Sequence, residues 1–89
     1  MTFFVDANYT DNVGHSDVYT IDLDELDWDD VKDVIIEIFE WAEEYSRHIN
    51  FIEVWEEDDD VSLKHYTREE ALDLCNPVLK HCRSIWRIA

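Results

Sequence analysis

The chain has 89 residues, 46% hydrophobic and 13% aromatic, enough for one small core and too apolar for a disordered acidic tail. Against 7 Lys and Arg stand 23 Asp and Glu, a formal net charge of −16, which repels phosphate backbones and argues against direct nucleic-acid binding. One Gly and one Pro leave no linker, and no apolar run suits a signal peptide or a membrane span, so the expectation is one soluble, cytoplasmic domain over 1–89 with no membrane association.

In chain order, Thr2–Ala7 is rich in β-formers and reads as a first strand. Asn8–Ser16 carries Asn, Asp, Gly and Ser and reads as a loop in which Gly14 takes a positive φ. Val18–Leu23 alternates and is expected to pair antiparallel with the first strand.

The stretch from Asp22 to Ile49 reads as one long amphipathic helix with an acidic approach. Asp27 suits the N-cap, and Asp29 and Asp30 complement the helix dipole in the first turn. Trp28, Val31, Ile35, Ile38, Ala42, Tyr45 and Ile49 recur at spacings of three and four, a core face widened by Val34, Phe39 and Trp41.

Phe51–Glu56 reads as a third strand, with Ile52 and Val54 on one side and Phe51, Glu53 and Trp55 on the other. Glu56–Asp60 is a turn of five carboxylates, and Val61–Tyr66 a fourth strand in hairpin with the third. Thr67 and Glu70 fit a capping box, opening a helix through Leu74 or Cys75. Asn76-Pro77 predicts a break, after which Val78, Leu79, Cys82 and Ile85 point inward; Ser84–Ile88 is open between helix and a short strand. The order β-β-α-β-β-α predicts an α+β domain, a four-stranded antiparallel sheet with helices on one face. The other face would be partly bare, with Trp or Phe on it as a contact patch.

Catalysis finds no support in the pattern. Acid/base pairs need carboxylates in contrasting environments, and a continuous acidic face offers none, so no enzyme and no cofactor are expected. Asp22–Asp27 and Glu56–Asp60 both lack the glycine of a calcium-binding EF-hand loop. Cys75 and Cys82 would lie about 10 Å apart on an unbroken helix, too far for a disulfide, and read as two core thiols. No second Cys/His pair accompanies His81 at zinc-site spacing, so no metal is expected.

The acidic helix side is the one constellation above background. Asp29, Asp33, Glu37, Glu40 and Glu44 share it, with Asp30 and Glu43 on its edges, and Ile36 falls among them as an expected exposed contact anchor. Residues 1–60 hold 20 of the acidic residues and two of the basic ones. The plain alternative is a solvated face that only confers solubility. The functional reading is that carboxylates imitate phosphates: neighbours three and four apart on a helix stand about 5–6 Å from one another, near the phosphate spacing along a strand. Asp58, Asp59 and Asp60 would form a second patch.

By size, charge and the helix that opens DELDWDD, the chain resembles the small acidic DNA-mimic proteins of phages and mobile elements, the anti-restriction and anti-CRISPR inhibitors. VYTIDLDELDWDDV also resembles the ArdA anti-restriction family, in which a strand runs into an acidic turn and helix. The resemblance covers about a third of the chain and carries over no individual residue. It implies an inhibitor whose partner is a basic nucleic-acid-binding protein, a nuclease or a restriction or CRISPR complex. The alternatives are a barstar-like immunity or antitoxin protein against a nuclease toxin, and a non-inhibitory acidic adaptor or virion component. Monomer and homodimer stay open.

Overall fold

The structure is a computed structural model that describes residues 2–75. Its elements are β1 (Phe3–Thr10), β2 (Ser16–Leu23), α1 (Trp28–Glu44), β3 (His48–Glu56), β4 (Lys64–Thr67) and α2 (Arg68–Leu74). The strands form one antiparallel sheet in the order β2-β1-β3-β4. The fold is α+β. The expectations for Asn76-Pro77, Val78, Leu79, Cys82, Ile85 and Ser84–Ile88 lie outside the described residues.

The first hairpin is longer than its composition suggests. β1 runs through Thr10, three residues beyond the expected end, because Asn8, Tyr9 and Thr10 pair with Val18, Asp17 and Ser16. The remaining loop, residues 11–15, is organised by Asp11, whose carboxylate accepts from the backbone N–H groups of His15 (2.8 Å) and Val13 (3.0 Å). The His15 bond is the leading cause holding the Asp11 carboxyl below its usual range. Gly14 has φ 88°, the left-handed conformation expected of it.

Helix α1 is capped at Asp27, whose carboxylate accepts from the Asp29 N–H at 2.9 Å. Val31, Val34, Ile35, Ile38, Phe39 and Ala42 are buried with Val5 and Ala7 of β1 and Ile49, Ile52 and Val54 of β3 in one cluster. Fully burying one such Ile is worth about 1.5–3 kcal/mol. Trp28 and Tyr45, expected in this core, are 49% and 54% exposed. They occupy the first helical position and the C-cap, beyond the turns that cover the sheet.

The helix ends at Glu44 rather than reaching Ile49. The Arg47 N–H reaches the Ala42 carbonyl at 2.7 Å and the Ser46 N–H the Glu43 carbonyl at 3.3 Å, the bonding of a Schellman motif, and Ser46 stands at the left-handed position with φ 57°. The chain then turns back into β3 at His48, three residues before the expected start, and Ile49 is buried from a strand. Asn50 is the extra residue of a bulge opposite Asn8 and Tyr9; its Nδ2 donates to Asn8 Oδ1 (2.9 Å) and Thr10 Oγ1 (3.0 Å).

β4 covers Lys64–Thr67, not Val61–Tyr66. Val61 and Leu63 are exposed in the connection, which the Asp59 N–H fastens to the Glu56 carbonyl. Thr67 and Glu70 form the expected capping box: the Thr67 hydroxyl accepts from the Glu70 N–H (3.2 Å) and the Glu70 carboxylate from the Thr67 N–H (3.1 Å). These Thr67 bonds hold the Glu70 carboxyl below its usual range. Because the folded value is the lower one, the cap contributes fully above the unfolded carboxylate range and is lost as pH falls through the folded value. Arg68 Nη1 donates to the Ile49 carbonyl (3.0 Å) and the guanidinium lies 5.8 Å from the Phe39 ring centre, fixing the start of α2 against β3 and α1.

Ala71 and Cys75 bury in the same cluster as α1, so both described helices use one sheet face. Register places Phe4, Asp6, Phe51, Glu53, Trp55 and His65 on the other. Phe4, Phe51 and Trp55 there are half-buried.

The strain at Ser46 generates a prediction. A non-glycine residue in the left-handed region costs about 1–2 kcal/mol. Ser46→Gly is expected to raise the stability measured by urea unfolding by about 0.5–1 kcal/mol, since glycine's own chain entropy offsets part of the relief, and Ser46→Val to lower it. Equal midpoints for all three chains would show that the turn stores no strain.

Candidate functional site

Helix α1 crosses the sheet from the end where β2 leaves to the end where β3 begins, about 25 Å for 17 residues. Since one side of it is committed to the core, Asp29, Asp33, Glu37, Glu40 and Glu44 fall on the other, and all five are exposed. Asp30 and Glu43 are exposed beside them. Among the described residues the stripe meets no Lys or Arg within ion-pair distance; the pairs there are His15–Asp11 (3.8 Å) and His65–Glu53 (3.5 Å), both away from it.

Asp58, Asp59 and Asp60 are exposed in the connection after β3. Phe3 of β1 lies between Leu23 and Glu56 in register, so this turn and the acidic approach to α1 leave the sheet at the same end, two strands or about 9–10 Å apart. The fold therefore gathers Asp24, Glu25, Asp27, Asp29, Asp30 and the 57–60 turn at one end, with the rest of the stripe running away from it.

Ile36 departs from expectation. It is half-buried and packed against the core, not standing free among the carboxylates. It lies one turn before Phe39, whose ring the Arg68 guanidinium of α2 overlies at 5.8 Å, and so stands on the border between the acidic stripe and the core.

The opposite flank holds what periodicity alone does not show. Trp41 borders the stripe one turn beyond Glu37, with its ring centre 5.1 Å from Tyr9, 4.2 Å from Tyr19 and 6.0 Å from Tyr45. The spacing of Trp41 and Tyr45 is visible in the chain, but the two strand tyrosines join them only through sheet register.

Cys75 is buried, and burial pushes its thiol up to about 11, so it stays protonated and unreactive at neutral pH. Among the described residues no three His, Cys, Asp or Glu side chains converge to hold a metal ion. No described helix is long and apolar enough to cross a membrane.

No protein-family model, curated protein or solved structure matches this chain. Any functional reading therefore rests on the arrangement of its own side chains.

Each like-charge pair three or four apart costs an exposed helix about 0.2–0.5 kcal/mol. Asp33→Asn, Glu37→Gln and Glu40→Gln together remove several such pairs without touching buried area. This triple variant is expected to unfold at higher urea than the parent in low salt, with the gain shrinking as salt is raised. A lower midpoint in low salt would mean that the stripe stabilises the fold.

Proposed function

We propose that this protein is an acidic DNA mimic that inhibits a bacterial defence nuclease complex, of restriction or CRISPR type, by occupying its basic nucleic-acid-binding surface in the cytoplasm. It acts by binding, without chemistry or cofactor. The observation that carries this reading is the exposed stripe Asp29, Asp33, Glu37, Glu40 and Glu44, rigidly spaced on a packed helix and without basic partners among the described residues. A duplex carries one charge per about 1.7 Å of axis. A small protein approaches that density only by loading several neighbouring segments, and here the stripe, the approach to α1 and the 57–60 turn supply them. A stripe kept only for solubility would gain by mixing in Lys, which relieves repulsion; this one has Lys32 at its margin and no other Lys or Arg along the helix. Ile36 serves at the edge of this surface, and Asp58, Asp59 and Asp60 extend it.

Phosphate mimicry makes position decisive, where bulk negativity does not. The test compares two variants of equal net charge in gel-shift and cleavage assays of restriction and CRISPR complexes: Asp33→Asn/Glu37→Gln/Glu40→Gln on the stripe, and Asp22→Asn/Glu69→Gln/Asp73→Asn, all exposed and off it. A desolvated interfacial charge pair can be worth about 1.5 kcal/mol or more, roughly tenfold in affinity. The parent is expected to block DNA binding, the stripe variant to lose more than about tenfold in potency, and the off-stripe variant to stay within about threefold of the parent. Equal losses would reduce the stripe to bulk charge, and a parent that inhibits none of the complexes would remove the proposal.

A further inference from the structure

We infer that the ring cluster of Tyr9, Tyr19, Trp41 and Tyr45 is a docking point for an arginine side chain of the basic partner. The inference rests on the proposed inhibitory role, to which it adds an anchor. The four rings come from β1, β2, the last turn of α1 and its C-cap, at the end of the sheet opposite the acidic turn. Trp41 is tilted against each neighbour, by 73° to Tyr9, 54° to Tyr19 and 41° to Tyr45. Tyr9, Tyr19 and Trp41 are half-buried against the core, and Tyr45 is left open to solvent. Rings needed only to seal the core would not require the last of these, which is 54% exposed and stands 6.0 Å from the Trp41 ring.

The rim decides the chemistry of the occupant. Glu37 and Glu44 lie one turn to either side of Trp41 on the helix, and Asp17 stands opposite Tyr9 in register; all three are exposed. An aromatic surface edged by carboxylates suits a cation that also presents a flat apolar face. The guanidinium is such a group: it stacks on rings, sheds water more readily than an ammonium and can still donate to a flanking carboxylate. Basic nucleic-acid channels hold arginines for phosphate, so the same side chain would find ring and carboxylate here in place of the backbone. Among the described residues, cation–π contacts use other rings, Lys64 with Tyr66 and Arg68 with Phe39. Arg47 donates from Nη1 to the Tyr45 carbonyl oxygen at 2.7 Å, which ties it to the backbone.

The probes are octa-arginine and octa-lysine peptides, titrated at low salt into the full ¹⁵N-labelled chain while the tryptophan indole N–H signals are followed. Charge is the same for both peptides, and since carboxylates alone also favour the guanidinium fork, the share of an arginine preference that is lost in Tyr45→Leu reports the rings. The parent is expected to bind octa-arginine roughly threefold to fivefold more tightly, the size of one exposed cation–π contact, with the Trp41 indole signal shifting most. Tyr45→Leu is expected to lose most of that preference, and Tyr45→Phe to keep it. Equal affinity for the two peptides, a preference undiminished in Tyr45→Leu, or shifts confined to amides of the acidic stripe would overturn the anchor while leaving the acidic surface as a binding site. Failure of both peptides to bind would overturn the anchor and the inhibitory reading together.

Discussion

The contact between the aliphatic side of α1 and the inner face of β1 and β3 sets the rest of this molecule. The sheet offers Val5, Ala7, Ile49, Ile52 and Val54, and the helix answers with Val31, Ile35, Ile38 and Ala42, all nearly or completely removed from water. At about 1.5–3 kcal/mol for each large side chain, this burial outweighs a set of like-charge contacts worth about 0.2–0.5 kcal/mol each. The helix therefore forms with its carboxylates aligned, and their alignment follows from the packing, because residues opposite a buried stripe can only face water. Repulsion that would melt an isolated peptide becomes a fixed pattern of charge on a folded one.

The same contact polarises the molecule end to end. Where β2 hands over to α1, the acidic approach, the first turn and the 57–60 turn lie side by side. Where α1 hands over to β3, the Schellman turn closes the helix and the aromatic cluster sits over the first hairpin. A partner lying along α1 would meet carboxylates first and rings last. Ile36 and Trp41, both half-buried against the core, border this track on its two flanks, and helix α2 is clipped in place by the Thr67 box and by Arg68.

Much of this was legible in the chain because it depends on local chemistry. The Asp27 and Thr67 caps, the turn at Gly14 and the aliphatic spacing of α1 each involve residues within a few positions of one another, where residue type alone dictates the bonding. What could not be read is set by non-local partners. Nothing in Asn8-Tyr9-Thr10 announces a strand; the pairing with β2 and β3 imposes it. Ser46 ends the helix in a conformation that glycine would have signalled and serine does not. Asn50 bulges because Asn8 and Thr10 stand ready to bond its amide. The stripe carboxylates could be placed from the helical period, whereas the half-burial of Ile36 depends on the core it packs against, and the aromatic cluster on the register of two strands.

The central claim is that the carboxylate surface takes the place of a nucleic-acid backbone, and competition tests it most directly. A fluorescent DNA duplex would be titrated against an inhibited restriction or CRISPR complex at several fixed concentrations of this protein. Replacement of the backbone predicts that the apparent Kd for the duplex rises linearly with inhibitor concentration, with no species containing all three components. A ternary complex of protein, nuclease and duplex, with the affinity for DNA unchanged, would contradict the account.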